Sequence, residues 1–374
     1  MKLLIPTQPD DTHAILVKLA LEAQGHRVTL MFTADYPTRQ KNSVFIDAAN
    51  YRWQSIDRQV SLVDNDYDVV WWRRPRAPYL PKALVHPDDH VFAVRENMLF
   101  YESLMHNLAP NAWWINPKES AKRANFKLLQ LKLASECNLN IPTTLCSNDP
   151  HEINCFLLKH QATGVIYKPL CANFWLEETR MKSSYTSKVH FLTLPDIQTL
   201  QTTPGIFQTE IKKKHELRIT CFGHWMVAAK LDSQCHPNGE VDWRAINDGS
   251  LQVEPYVIPQ DLQIKIRHFM QKIGILFGSF DFIVTQENEY VFLEVNEQGQ
   301  FFWVEEYAPE IKMLDIFVQF ILARKIDFTW DPGKMQHAIA DYRAQLHHMY
   351  LENMQHHVDL NNSLIYKEQQ GCAV

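Results

Sequence analysis

The stretch FLEVNEQGQFFWVE, residues 292–305, has the apolar character of a buried strand but carries two polar side chains within it. Glu294 and Asn296 lie two positions apart, and residues two apart on a strand point to the same face. A carboxylate and an amide are therefore expected side by side. Because burying an uncompensated carboxylate is costly, the pattern indicates that this pair has a binding partner.

A third oxygen donor, Asp281, precedes the pair in the apolar segment GSFDFIV. The turn TQENE follows it, and two consecutive strands joined by this turn are predicted to form a hairpin that brings Asp281, Glu294 and Asn296 together. Carboxylate and amide oxygens are ligands for Mg²⁺, which takes phosphate oxygens as further ligands. The pattern therefore predicts a magnesium site for a phosphorylated ligand. The alternative is a structural acid that is solvated or salt-bridged.

A magnesium–nucleotide site also requires cations that meet the phosphates. Four candidates lie in helical or strand-like segments: Lys127 in RANFKLLQLKLA, Lys168 in GVIYKPL, Arg218 in HELRIT and Arg244 in VDWRAI. Each of them could instead be an ordinary surface cation. The chain contains neither GxxxxGK[ST] nor GxGxxG, so a nucleotide is expected to bind between sheets rather than at a glycine-rich helix start.

The composition excludes several classes of protein. The chain has 374 residues, of which 46% are apolar and 21% charged, as in globular proteins. A formal net charge of −6 argues against a general nucleic-acid partner, and no apolar run approaches the roughly 20 residues of a membrane helix. Seven scattered cysteines without a CxxC pair favour reduced thiols. We therefore expect a cytoplasmic protein with no nucleic-acid and no membrane partner.

The order of elements predicts an α/β (α+β) protein in four parts. Strand, helix and strand follow each other in the first 35 residues, a helix is expected over 119–138, and strands dominate later. Two arginines in the segment YDVVWWRRP, Arg73 and Arg74, are expected to be either solvated or in contact with acidic side chains of a peptide. The expected parts are a parallel α/β domain over 1–115, a central domain over 116–205, a strand-rich domain over 206–325 and a helical tail over 326–374 whose five histidines are solvated or contact a second subunit.

Several segments, in this order, resemble those of the ATP-grasp ligases: NPKESAKRANFKLLQLKLASECNLNIPTT, VIYKPL, FQTEIKKKHELRITCFG, DWR, FDFIV and FLEVNEQGQF. The N-terminal LLIPTQPDDTHAILVKLALEAQGHRV and VVWWRRP narrow the resemblance to the microviridin-type peptide ligases, also called graspetide synthetases. The resemblance covers about residues 1–325. It implies an ATP-grasp fold with an N-terminal α/β domain, a central domain and a C-terminal antiparallel-sheet domain, and ATP and Mg²⁺ as cofactors.

The resemblance also implies a role for each matching position. Asp281, Glu294 and Asn296 would bind Mg²⁺, and Lys127 and Lys168 would bind the phosphates. The main chain of the hinge Gln208–Ile211, which includes Glu210, would bind adenine, and Glu216 would bind the ribose. Arg218 and Arg244 would stabilise the transferring phosphoryl group. Two features depart from the family. Thr209 stands where relatives commonly have Glu, and the segment CANFWLEETRMKSS after Lys168 lacks the glycines of a phosphate-covering lid.

The implied reaction joins side chains of a ribosomally made precursor peptide. ATP converts an Asp or Glu carboxylate to an acyl phosphate, and a Thr or Ser hydroxyl then forms an ester or a Lys amine forms an amide. The expected partners are this precursor peptide, with its leader and core, and a second copy of the chain in a homodimer. Two alternatives remain open: a ligase like the ribosomal-protein glutamate ligase or a small-molecule carboxylate–amine ligase, and an ATP-grasp protein that binds nucleotide or peptide without turnover.

Overall fold

The computed structural model describes residues 1–360 apart from 58–59, 64, 172–173, 178–179, 184–185, 237–238 and 247. The strands in these ranges are β1 Lys2–Thr7, β2 Arg27–Phe32, β3 Gln40–Ile46, β4 Tyr51–Asp57, β5 Val60–Val63, β6 Val69–Trp71, β7 Trp113–Ile115, β8 Thr144–Ser147, β9 Val165–Lys168, β10 Phe174–Glu177, β11 Arg180–Ser183, β12 Ser187–Val189, β13 Gly205–Thr209, β14 Lys213–Phe222, β15 Trp225–Leu231, β16 Val253–Tyr256, β17 Phe277–Thr285 and β18 Tyr290–Asn296. The helices in these ranges are α1 Thr12–Ala23, α2 His90–His106, α3 Lys118–Ala124, α4 Lys127–Glu136, α5 Pro150–Lys159, α6 Ile197–Thr202, α7 Gln260–Ile273, α8 Trp303–Tyr307, α9 Met313–Ala323 and α10 Arg343–His356. This mixture of parallel and antiparallel sheets with helices confirms the predicted α/β (α+β) class.

The chain packs as two compact units, Met1–Ala121 with the described residues from Lys312 onward, and Lys122–Ile311. The predicted four-part division of the chain stays a prediction. Within the first unit α9 packs against α1, although the four-part division assigns α9 to its third part. Among the described helices none is both long enough and apolar enough to cross a membrane.

A parallel sheet forms the centre of the first unit, with the strand order β2-β1-β6-β7. In β1 the side chains of Leu3, Leu4 and Ile5 are fully buried, as in a strand that is covered on both faces. α1 begins after Asp11, whose carboxylate accepts two main-chain amides of the first turn. The predicted N-terminal order of strand, helix and parallel strand is therefore confirmed.

Both sequence-based alternatives for Arg73 are wrong, because its side chain is buried within this unit. Its Nε donates to Asp11 Oδ2 at 3.0 Å, and its guanidinium lies 5.3 Å from the ring centroid of Trp71. Burial alone would raise the pKa of Asp11, but the charge of Arg73, together with His13, Arg74 and the hydrogen bond from Thr7, outweighs burial and lowers that pKa. Arg73 is thus a structural cation that stabilises the carboxylate at the start of α1.

Two larger sheets form the second unit. One has the order β12-β9-β13-β8, and the other is antiparallel with the order β16-β15-β14-β17-β18. α7 packs on one face of the five-stranded sheet through apolar residues spaced three and four apart, including Leu262, Ile266 and Phe269. It ends at Gly274, whose φ of +89° is favourable for glycine. The opposite face of this sheet is therefore free to carry polar side chains.

The segment that follows α10 is attached to the first unit through a buried carboxylate. Asp35 Oδ2 lies 2.5 Å from His357 Nδ1, and Asp35 Oδ1 accepts the amide of Val358 at 2.7 Å. Asp57 Oδ2 lies 3.9 Å from the same imidazole nitrogen. His357 and the buried His337 therefore contradict the expectation that the tail histidines are solvated or contact a second subunit.

Replacing His357 with alanine should destabilise the protein, because the fully buried Asp35 loses its imidazole partner. We expect a loss of about 1–3 kcal/mol in the free energy of unfolding, the usual effect of leaving a buried acceptor unsatisfied. The neighbouring His356 is exposed, so His356→Ala should change stability by less than about 0.5 kcal/mol. Urea denaturation of the full chain measures both, and equal midpoints for the two variants would contradict the anchoring role.

Candidate nucleotide and metal site

The predicted hairpin is confirmed, because β17 pairs with β18 in an antiparallel ladder. Asp281 lies opposite Glu294, and Ser279 lies opposite Asn296. The three predicted oxygen donors therefore occupy adjacent positions on neighbouring strands.

A β-bulge at Leu293 determines which face Glu294 occupies. Phe282 pairs with Phe292 while Asp281 pairs with Glu294, so Leu293 is an extra residue in β18. In a regular strand Phe292 and Glu294 would point to the same face. The bulge shifts the alternation by one residue, so Phe292 is buried in the core with Val295 while Glu294 and Asn296 line a cavity.

This cavity has a volume of about 830 Å³ and lies entirely within the second unit. It brings together most of the residues that the sequence singled out: Lys127, Lys168, Glu210, Ile211, Glu216, Arg244, Asp281, Glu294 and Asn296. Gln208 and Arg218 do not line it. Arg218 nevertheless contacts the site, because its Nη1 donates to Asp281 Oδ1 at 2.8 Å.

Cations surround the two carboxylates on the hairpin. Arg244 Nη2 lies 3.1 Å from Asp281 Oδ2 and 3.5 Å from Glu294 Oε1, and Lys127 Nζ lies 2.7 Å from Glu294 Oε2. Burial alone would raise the pKa of Glu294, but the charges of Lys127, Arg244 and Lys168 and the hydrogen bond from Lys127 together outweigh burial and lower that pKa to about 2. Glu294 is therefore a carboxylate at any physiological pH.

The donor set fits a magnesium ion. Asn296 Nδ2 points to Asp281 Oδ2 at 3.4 Å, which leaves the amide oxygen Oδ1 as an acceptor beside the two carboxylates. Mg²⁺ prefers such oxygen ligands, and it usually binds through one or two carboxylates together with substrate phosphates. Asp281, Glu294 and Asn296 are thus suitable ligands on the basis of their chemistry and their register.

A break between two helices positions Lys127. The sequence predicted one helix over 119–138, but the chain forms α3 and α4, separated by Phe126 in an extended conformation with φ of −86° and ψ of 98°. Lys127 is consequently the first residue of α4. The break places its ammonium group next to Glu294 instead of on the surface of a continuous helix.

Lys168 also faces the cavity. It lies two residues after Ile166 on β9, and both side chains line the cavity, whereas Val165 and Tyr167 pack into the hydrophobic core of the four-stranded sheet. Burial lowers the pKa of Lys168, and the attraction of Glu294 opposes this shift. A desolvated ammonium group of this kind favours an anionic ligand.

In the hinge segment Gln208–Ile211, the side chain of Gln208 does not line the cavity that its neighbours line. The Gln208 side chain is buried and donates to Thr144 Oγ1 at 2.9 Å, whereas Thr209, Glu210 and Ile211 line the cavity. The amide of Glu210 already donates to the carbonyl of Gly164 at 3.0 Å. Among the described residues, the amide of Ile211 has no hydrogen-bond acceptor, so it is free for a ligand.

Two residues of the site were missed by sequence reasoning. Lys213 Nζ donates to Glu216 Oε1 at 2.7 Å, and the Asp242 carboxylate accepts the amide of Arg244 at 3.1 Å at the start of the 3₁₀ turn Trp243–Ala245. Burial lowers the pKa of Arg244, but Asp281 and the other nearby carboxylates outweigh it and raise that pKa. An Asp two residues before the arginine is a capping signal that sequence reasoning could have used, whereas nothing in KKKHE distinguishes Lys213.

The glycine-free segment after Lys168 falls partly outside the described residues. The structure describes a two-stranded sheet of β10 and β11 there, but residues 172–173, 178–179 and 184–185 are not described. The expectation about a lid in this segment stays a prediction.

Solved structures with the same fold were found by comparison. The Chryseobacterium gregarium RiPP-associated ATP-grasp ligase, in complex with ADP and a leader and core peptide, is 26% identical, with a TM-score of 0.78 over 87% of this chain and 97% of that chain. The Microcystis aeruginosa MRC macrocyclase MdnC, bound with precursor peptide MdnA, is 28% identical, with a TM-score of 0.74 over 86% of this chain and 100% of that chain. MdnB from the same organism is 26% identical, with a TM-score of 0.72 over 86% and 98%.

The chain has the ATP-grasp fold. The resemblance inferred from the sequence motifs is therefore confirmed, and it extends to the peptide-modifying ligases of this superfamily. No protein-family model matches the chain, and no curated protein does. The similarity to the ATP-grasp ligases is therefore seen in the three-dimensional structure, while the sequence identities stay below 30%.

The two arginines of this ATP-grasp site should differ in their contribution to stability. Arg218 is buried, and Arg218→Met would leave the Asp281 carboxylate buried with one partner fewer, which should cost about 3–5 kcal/mol. The Arg244 side chain is 42% exposed, and Arg244→Met should cost about 1 kcal/mol or less. Denaturant unfolding measures both.

Adding Asp281→Asn to Arg218→Met removes the buried carboxylate that has lost this partner and should restore part of the loss. An Arg218→Met variant as stable as Arg244→Met would contradict the assignment of Arg218 as the fixed partner of Asp281.

Proposed function

We propose that this protein is an ATP-dependent, ADP-forming peptide ligase that cross-links side chains of a ribosomally made precursor peptide. The observation that carries the proposal is the convergence, in one cavity of an ATP-grasp fold, of three oxygen donors on adjacent strands with cations from three other elements. Two of the similar structures contain precursor-derived peptide, and one of these also contains ADP. We propose the same ligands, ATP with Mg²⁺ and a precursor peptide with leader and core, for this chain.

Asp281, Glu294 and Asn296 would hold Mg²⁺, which when bound neutralises charge on the phosphates. Lys127 and Lys168 face the same cavity and would bind phosphate oxygens directly. Because Lys127 and Arg244 already contact the carboxylates, the cationic groups are preorganised near the position of the phosphates.

The remaining site residues would orient the nucleoside. We propose that the main chain of Glu210 and Ile211 binds the adenine edge, since the Ile211 amide is free for a ligand and both residues line the cavity. This use of the main chain tolerates Thr209, because its side chain is not required. The side chain of Gln208, which does not line the cavity, would stabilise the hinge through its hydrogen bond to Thr144. Glu216 would bind the ribose hydroxyls.

The reaction then has two steps. A side-chain carboxylate oxygen of the peptide attacks the γ-phosphorus, the bond to the β-phosphate oxygen breaks, and ADP leaves. A hydroxyl or amine of the peptide attacks the acyl carbon of the resulting acyl phosphate, loses its proton and releases inorganic phosphate, which forms an ester or an amide. Arg218 and Arg244 would stabilise the charge on the transferring phosphoryl group, and no side chain of the enzyme needs to become covalently modified.

We also propose that the protein acts in the cytoplasm and that it forms a homodimer. Buried thiols at Cys137 and Cys221 support a reducing compartment. Sedimentation of the purified chain tests the homodimer, and a monomer at assay concentration would contradict it.

The test is ADP release with a candidate precursor peptide, chosen as a short neighbouring reading frame rich in Thr or Ser and in Asp or Glu. We expect peptide-stimulated ADP release and the loss of one water per ring in mass spectra of the peptide, with methanolysis opening esters but sparing amides. ADP binding without release by any peptide would favour a binding protein. Transfer of free amino acids would favour a ligase for small acceptors.

Glu294→Gln should lower the rate of ring formation by about 100-fold or more, because even residues behind a metal ligand commonly contribute 10–100-fold and Glu294 would be a direct ligand. Glu287→Gln is the matched control, since Glu287 is exposed in the turn of the same hairpin. Equal rates for the two variants would exclude Glu294 from the metal site.

A further inference from the structure

We propose that Lys213 is a positioning residue that fixes one oxygen of the Glu216 carboxylate and thereby directs the other oxygen to the ribose hydroxyls of the nucleotide. This inference rests on the proposed nucleotide site. In this role Lys213 would affect the recognition of the ribose and would not affect the binding of the phosphates.

Lys213 and Ser233 together occupy Oε1 of Glu216. Lys213 Nζ donates to it at 2.7 Å and Ser233 Oγ donates to it at 2.9 Å. For Oε2, no hydrogen-bond partner exists among the described residues, and Glu216 lines the cavity. The carboxylate is thus held at one oxygen by two donors, which leaves Oε2 as the acceptor that a ligand can use.

A second β-bulge makes this contact possible. Residues three apart on a regular strand point to opposite faces, so Lys213 and Glu216 should not meet. In the pairing of β14 with β17, Lys213 lies opposite Thr285 and His215 lies opposite Val284, which leaves Lys214 as an extra residue. The bulge brings Lys213 onto the face of Glu216.

Lys213 and Lys214 therefore have different environments although they are neighbours. The Lys213 side chain is only 4% exposed and also donates to the carbonyl of Val241 at 3.2 Å. Lys214 is exposed and donates to Asn288 Oδ1 at 2.9 Å. Since Val241 precedes the Asp242–Arg244 turn, Lys213 connects the proposed sugar site to the segment that carries Arg244.

The charge of Lys213 also keeps Glu216 an acceptor. Burial raises the pKa of Glu216, and the charge and hydrogen bond of Lys213 oppose this rise. Removing Lys213 would favour the protonated carboxyl, which is a weaker acceptor, and would free the side chain to rotate. Both effects weaken the hydrogen bonds that Glu216 would accept from the two ribose hydroxyls.

The experiment measures the dissociation constants of ADP and 2′,3′-dideoxy-ADP by calorimetry, with Mg²⁺ present, for four forms of the full chain. We expect the unaltered protein to bind ADP about ten-fold or more tightly than the dideoxy analogue, since hydrogen bonds to a charged group have this effect. Lys213→Met should reduce this ratio to about three-fold or less. Lys214→Met, the matched control, should keep the original ratio, and Ser233→Ala should give an intermediate ratio.

A Lys213 that is merely structural would weaken both nucleotides equally and leave the ratio unchanged, and this outcome overturns the proposal. If circular dichroism shows that Lys213→Met is unfolded, the Ser233→Ala ratio decides, and an unchanged ratio there also overturns it. Failure of the unaltered protein to bind ADP would instead remove the proposed function itself. Equal binding of ADP and its dideoxy analogue by the unaltered protein would remove only the sugar contact.

Discussion

The site depends on the separation of two chemically opposite faces of the β14–β17–β18 sheet. One face carries Phe280, Phe282 and Phe292 against α7, and the other carries Asp281 and Glu294 beside their cations. Strand alternation provides this separation only while the register is kept, because a shift by one residue exchanges the faces. Burying a carboxylate in the aromatic layer would be far more costly than any contact in the site could offset. The bulges at Lys214 and Leu293 shift this alternation by one residue. As a result, the side chains of Lys213 and Glu294 face the cavity.

Charge balance follows from the same geometry. Asp281 lies directly opposite Arg218 on β14 and opposite Glu294 on β18, so strand pairing fixes one opposite charge and one like charge beside it. Lys127 and Arg244 come from outside the sheet, from a helix start and a 3₁₀ turn. The positions of the carboxylates are therefore set by the sheet, while Lys127 and Arg244 reach them from these two elements outside it.

Sequence reasoning identified what depends on local pattern. The hairpin, the three oxygen donors and Lys168 could be predicted because an apolar strand with isolated polar residues is a local signal. The bulges at Lys214 and Leu293 could not, since each is defined by the pairing register with the neighbouring strand, which the side-chain pattern along one strand does not reveal. The burial of Arg73 and the anchoring of His357 were missed because their partners, Asp11 and Asp35, are far away in the sequence. Short motifs indicate chemistry, but strand register and distant partners decide orientation.

Arg218 and Arg244 differ because one is placed by strand pairing and the other by a 3₁₀ turn outside the sheet. Arg218 is buried, pairs with Asp281 and also donates to the carbonyl of Gln300, so its position is set by the sheet and the segment after β18. Arg244 stacks on Trp243, is partly exposed and shares its guanidinium among Asp281, Glu294 and Asp242. A cation with several alternative carboxylate partners can turn toward a phosphate while one of them remains within reach, so no buried charge is left alone during the exchange. Arg218 would instead act on the phosphoryl charge from its fixed position beside Asp281, because its departure would remove the partner that strand pairing assigns to Asp281.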